Sequence, residues 1–229
     1  MKTNVIYKEN SSQEAKFRPY ISRCPANCNL YAYGANNPVH YIDPDGRSLF
    51  SEAKAWMKHP IAASKVGRAS DGGKNISSIA TNFTINLGLP WANYGEGRRD
   101  EGSARGSFRH TFWQALISRD FGCKTPDDIG QGHDPIIPQL QESYNNLSDA
   151  DTMVDNLNNM IGRSLGSGNK KTNTELAKDV LDFQHDFGLY SVTKNDDGTY
   201  GIGITKLSDA EYSSAIKKLQ NLNESGLNR

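Results

Sequence analysis

Ser107-Phe108-Arg109-His110-Thr111-Phe112-Trp113-Gln114-Ala115-Leu116 places Phe108, Phe112 and Ala115 four and three residues apart, with Leu116 continuing the series. That spacing is one apolar face of an α-helix, and it predicts a helix over about Ser103 to Phe121, stopped by Gly122. Arg109, His110 and Trp113 fall on an adjoining face, with Gln114 one turn after His110 and so beside it. Together they bring a phosphate-binding cation, an acid or base and a stacking plane next to the glycine-rich loop Tyr94-Gly95-Glu96-Gly97-Arg98-Arg99. The bland alternative is a buried histidine tied to a carbonyl within an aromatic core.

A second helix carries the matching pattern. In Met153-Val154-Asp155-Asn156-Leu157-Asn158-Asn159-Met160-Ile161-Gly162-Arg163 the apolar face is Met153, Leu157, Met160 and Ile161. Asp155, Asn158 and Asn159 cluster at helical spacing on another face. Asparagine is a mediocre helix former, so Asn156, Asn158 and Asn159 weaken the helix locally unless something uses them. A carboxylate beside carboxamides suits a hard cation, a phosphate or sugar hydroxyl, or an interhelical hydrogen-bond network.

Around these two helices the punctuation is regular. Further helices are predicted over about Leu49 to Lys65, Asn75 to Leu87, Ser148 (as N-cap) to Gly166, and Thr172 or Thr174 (as N-cap) to Phe187. Tyr190 and Val192, then Tyr200, Ile202 and Ile204, flank Asn195-Asp196-Asp197-Gly198, a hairpin signal. Ser208-Asp209-Ala210-Glu211 is a capping box for a last helix to about Asn221. The expected fold is mainly α, of α+β type: a helical domain over residues 47–229 with a C-terminal β-hairpin, behind a separate segment 1–46.

Composition narrows the function. With 229 residues the chain is long enough for one sizeable core. Lys and Arg total 26 and Asp and Glu total 26, which removes the whole-chain charge argument for a nucleic-acid or membrane-surface binder. The balance hides an asymmetry: residues 47–75 hold six basic and two acidic side chains, residues 120–160 one basic and eight acidic. This fits either two solvated faces or a basic surface near phosphate and an acidic cluster near a divalent metal. No apolar run approaches the roughly 20 residues of a transmembrane helix, and no apolar stretch follows Lys2 as a signal peptide requires. Of the cysteines, Cys24, Cys28 and Cys123, none has the partners at ligand spacing that zinc needs.

Other titratable groups rank second. Asp182 precedes His185 by one turn and is expected to orient it, and His133-Asp134 follows Gly132 on a loop. His110 with Asp155 is a chemically reasonable metal pair, joined by His133 and His185, although no HExxH or CxxC spacing enforces it. No GxSxG elbow is present, and Cys123 lacks a recognisable partner, so covalent catalysis is not expected.

Residues 1–46 bring in a resemblance. Asn29-Leu30-Tyr31-Ala32-Tyr33-Gly34-Ala35-Asn36-Asn37-Pro38-Val39-His40-Tyr41-Ile42-Asp43-Pro44-Asp45-Gly46 closely resembles the end of the RHS repeat-associated core. In that family a β shell of repeats ends at this sequence, and a variable toxin domain follows. The alternation of Leu30 and Ala32 with Tyr31 and Tyr33, then Val39 and Tyr41 after the Asn-Asn-Pro turn, reads as two short strands. Two departures matter. The shell repeats are absent, and Cys24-Pro25 stands where the family carries an upstream Asp-Pro, so self-cleavage by paired aspartates is not expected.

The combination Phe108-Arg109-His110-x-x-Trp113 with Asp155-x-x-Asn158-Asn159-x-x-Gly162-Arg163 also resembles an uncharacterised helical domain at the ends of RHS and wall-associated polymorphic toxins. That resemblance covers about residues 95–166 and carries no established reaction. It implies a toxin effector of interbacterial competition, delivered within a larger carrier and paired with an immunity protein. Nucleic acids, nucleotides, lipids and cell-wall precursors are the usual substrates of such toxins. His110, Arg109, Asp155 and Asn159 are the expected catalytic residues of a hydrolase acting on a phosphate-containing substrate, with Trp113, Gln114 and Asn158 binding that substrate. The competing expectation is a displaced, non-enzymatic RHS cassette that binds a partner such as the immunity protein.

Overall fold

A computed structural model describes residues 59–92, 94, 100–122, 141–168 and 170–229. The expected RHS strands, the boundary at 46, Cys24, Cys28, Cys123, His133 and Asp134 lie outside the described residues. Within them the fold is mainly helical: α1 (Pro60–Val66), α2 (Ile76–Leu87), α3 (Ala104–Phe121), α4 (Leu147–Gly166), α5 (Asn173–Asp186), the hairpin strands β1 (Leu189–Lys194) and β2 (Tyr200–Thr205), and α6 (Asp209–Leu219). No helix among the described residues is long and apolar enough to cross a membrane.

Local chemistry accounts for most boundaries. The Asn75 side chain accepts from Ser78 N–H at the start of α2, and Ser103 accepts from Gly106 N–H at the start of α3. Thr172 with Glu175, and Ser208 with Glu211, form reciprocal capping boxes on α5 and α6. Two expectations shift. A helix starts at Pro60, whose fixed φ and missing N–H suit a first-turn position, so a helix beginning at Leu49 does not run through to Lys65 unbroken. The N-cap of α4 is Asn146 rather than Ser148, because the Asn146 carboxamide accepts from Asp149 N–H and starts the helix at Leu147.

Helices α3 and α4 form the centre. Gly102 with Asp151, His110 with Asp155, Thr111 with Gly162 and Ala115 with Gly166 meet in order, so the two helices run in the same sense. Gly162 and Gly166 set the approach: a Cβ at either would strike the carbonyl oxygen of Thr111 or of Ala115. The main core joins Phe83 and Leu87 of α2, Phe108, Phe112 and Leu116 of α3, Ile161 and Leu165 of α4, and Leu176, Val180 and Leu181 of α5. A smaller cluster gathers Tyr144, Leu147, Ala150, Met153 and Val154 with Val192 and Tyr200 of the hairpin.

The hairpin is antiparallel, with Leu189 opposite Thr205 and Lys194 opposite Tyr200. Two strands alone are marginal, and here the helices supply the rest. Ser107 Oγ donates to the Tyr190 carbonyl, and Val192 N–H donates to the Gly102 carbonyl. The Tyr144 and Tyr200 backbones exchange two hydrogen bonds of 2.8 Å. At the other end, Asn82 and Asn86 of α2 donate to the carbonyls of Ser225 and Gly226, which ties the last residues to the core.

Candidate functional site

The division between the two apolar clusters is polar. His110, in the second turn of α3, and Asp155, in the third turn of α4, are each 7% exposed, and His110 Nε2 lies 3.1 Å from Asp155 Oδ2. An ionised carboxylate only accepts, so Nε2 bonds to Asp155 when that nitrogen carries a proton, and the contact orients the imidazole. Arg109 Nη2 lies 3.1 Å from the same Nε2. A guanidinium from α3 and a carboxylate from α4 therefore meet at one ring nitrogen, which accepts from Arg109 or donates to Asp155 but not both at once.

Arg109 also faces outward. Its Nη1 is 3.2 Å from Asp100 Oδ2, and its side chain is 36% exposed. Arg105, one turn earlier, places Nε 3.4 Å from Asp100 Oδ1. One carboxylate thus serves two guanidiniums, and the group keeps a net positive charge beside the buried pair.

The remaining expected site residues separate into distinct roles. Gln114 is fully buried one turn after His110, and neither its Oε1 nor its Nε2 makes a hydrogen bond among the described residues. Thr111 Oγ1 on the same helix is in the same situation, and such buried polar atoms each carry a desolvation cost of about 1–3 kcal/mol. Asn159 is buried on α4 one turn after Asp155. Asn158 takes a structural position: its Nδ2 donates to the Tyr190 carbonyl at 2.9 Å, and Tyr190 N–H donates to its Oδ1 at 3.0 Å. Its amide is therefore occupied by a strand peptide instead of a substrate. Trp113 belongs to the main core, with Nε1 donating to Ser77 Oγ on α2 at 3.1 Å, so it offers no open stacking plane.

His185 is remote from this seam in character and partners. Its Nε2 contacts Asp209 Oδ1 at 2.8 Å and its Nδ1 contacts Asp186 Oδ1 at 3.1 Å, while the ring stacks on Tyr212. The hydrogen bond to Asp209 raises its pKa above the ordinary 6.5. Asp182, expected to orient it, instead accepts from Lys178 Nζ and from the Tyr212 hydroxyl, and both of those groups titrate higher for it. The i to i+4 lysine on its own helix captures the carboxylate.

His110 and Asp155 would give a metal at most one nitrogen and one carboxylate. Among the described residues no group of three or more His, Cys, Asp or Glu side chains gathers around a common point. Asp100, the partner of Arg109, and Arg105, which shares it, escaped sequence reasoning. Arg105 was detectable in principle, since it stands four residues before Arg109 on the same helix face.

No curated protein and no solved structure matches the chain. One family model does, a domain of unknown function (DUF6973), over residues 53–185. The match takes in α1 to α4 and α5 up to His185, and with them both halves of the buried pair. By that match, which spans more than half of its length, the chain belongs to the DUF6973 family.

Proposed function

We propose that the chain acts as the effector domain of an RHS-type toxin and hydrolyses a phosphate-containing substrate at the Arg109, His110 and Asp155 cluster. The observation that carries this reading is the convergence of Arg109 Nη2 and Asp155 Oδ2 on His110 Nε2, each at 3.1 Å. The carrier part rests on the resemblance of residues 29–46 to an RHS junction.

In this reading Arg109 meets the substrate first, being the exposed member, and holds a phosphoryl oxygen with a guanidinium suited to that geometry. Asp155 orients the imidazole and stabilises it when it carries the extra proton. A water oxygen bonds to phosphorus, the bond to the leaving oxygen breaks, and His110 carries the proton from the one to the other. Burial of the pair strengthens each of these electrostatic interactions relative to water.

The test is growth of bacteria on induced expression of the full chain, in cytoplasmic and exported forms. Wild type is expected to stop growth in one compartment. His110→Ala and Asp155→Ala, checked for folding by circular dichroism, are expected to permit it, since loss of a general acid or base costs about 100-fold or more in rate. Killing by both folded variants rules out the mechanism. Absence of killing by soluble, folded wild type in both compartments favours the partner-binding cassette. Rescue by a small reading frame adjacent to the gene identifies the immunity protein.

A further inference from the structure

The two tryptophans in the described residues are placed in opposite ways. Trp113 is buried in the core, whereas Trp91 is 54% exposed. Its position is built: the Pro90 carbonyl accepts from Arg105 N–H at 3.1 Å, which pins the loop preceding Trp91 to the first turn of α3. The Arg105 guanidinium then lies 5.7 Å from the centroid of the Trp91 ring, within cation–π range. From there a continuous polar chain runs inward, through Asp100 to Arg109 and on to His110.

An exposed indole is a large apolar surface left in water, and this one has the Arg105 guanidinium against its ring. Arg105 and Arg109 stand one helical turn apart, about 6 Å along the axis, on the scale of a single nucleotide. Indole faces accept any base by stacking, and guanidiniums accept phosphate oxygens bidentately. We infer that the substrate is a nucleotide unit, whose base stacks on Trp91 while Arg105 and Arg109 take its phosphate in exchange for Asp100.

This inference rests on the hydrolase reading for the location of the reacting phosphate, and it adds the base. It transfers the stacking role from Trp113 to Trp91. Two sources share the chemistry, a single strand of nucleic acid and a free nucleotide. Trp91 stands outside the hydrophobic core, so it can be changed without opening it.

The experiment is fluorescence anisotropy of short labelled single-stranded RNA and DNA with the full chain, as wild type at low temperature and in a His110→Gln background that blocks turnover. Adenosine monophosphate and tripolyphosphate serve as competitors. Wild type is expected to bind the strand, with Trp91→Ala about 10-fold weaker and Trp91→Phe within about 3-fold of wild type. Adenosine monophosphate is expected to compete better than tripolyphosphate in wild type, and to lose that advantage in Trp91→Ala. Competition by the mononucleotide at strand-like affinity assigns the free nucleotide as source; strand binding that the mononucleotide barely disturbs assigns the nucleic acid. Equal binding by Trp91→Ala and wild type, or no binding of either probe, overturns the inference. If killing depends on His110 while Trp91→Ala kills and binds like wild type, only the base-stacking inference falls. The hydrolase reading is tested separately, by killing with the folded His110→Ala and Asp155→Ala variants.

Discussion

His110 and His185 each sit within 3.1 Å of an aspartate oxygen, yet they occupy opposite environments. The His110–Asp155 pair joins two central helices across a polar seam, with 7% of either residue exposed. The His185 side chain is 26% exposed and shares two aspartates at the surface, where α5 meets α6. The same donor and acceptor thus form two different devices. Water screens the outer pair, so it contributes little to stability. The inner pair is removed from water and bound to a third charge, so breaking it leaves uncompensated partners. Proximity of His to Asp therefore does not mark a site; burial, register and a shared third group do.

The largest effect expected from breaking this contrast is at Asp155. Asp155→Ala should cost about 3 kcal/mol in urea unfolding, whereas Asp209→Ala should cost under about 1 kcal/mol. A double-mutant cycle between His110 and Asp155 should show strong coupling, and equal costs at the two aspartates would erase the distinction. Next comes the seam itself. Gly162→Ala should lose about 2 kcal/mol, measured as a lowered urea midpoint with unchanged slope, because its Cβ meets the Thr111 carbonyl. Asn158→Ala leaves the Tyr190 N–H without its side-chain acceptor, while the carbonyl keeps Ser107 Oγ, and should cost about 1–2 kcal/mol, with faster amide exchange at Tyr190.

The smallest effect sharpens the surface side. The folded pKa of His185 is raised by Asp209, so its stabilising contribution is present below the ordinary value of 6.5 and lost as pH rises through the raised value. Asp209→Asn should lower the His185 midpoint in an NMR titration. It should also remove a few tenths of a kcal/mol at about pH 5.5 and almost nothing at about pH 9. A His185 midpoint unmoved by Asp209→Asn contradicts this assignment.

The helices were legible in the sequence wherever a cap and an apolar period agreed. Ser103 and Gly122 bracket α3, Thr172 with Glu175 opens α5, and Ser208 with Glu211 opens α6. Where two polar residues compete to cap, as Asn146 and Ser148 do before α4, composition does not choose between them; the backbone geometry at Asn146 does. The site was half legible. Helical spacing groups Arg109 with His110, and Asp155 with Asn158 and Asn159; residue chemistry pairs His110 with Asp155 as metal ligands, but spacing does not give their direct contact across 45 positions. That pairing depends on Gly162 and Gly166 admitting the α3 backbone. Spacing also misdirected: it matched His185 to Asp182 on its own helix, while the ring found Asp209 on the next. Spacing points to Trp113 because it lies on a readable helix face, whereas the position of Trp91 depends on the hydrogen bond from Arg105 N–H to the Pro90 carbonyl.

The bond between Asn158 and the peptide of Tyr190 bears on how this domain can be made. The family match closes at residue 185, yet the amide of Asn158, one turn from Asp155, is satisfied only when residue 190 has arrived. A ribosome therefore releases both seam helices well before the strand that completes them, and a chain cut at the family boundary stops with that carboxamide stranded. Competence at the buried pair is thus expected to be a late event in synthesis, set by a strand that lies beyond the family match.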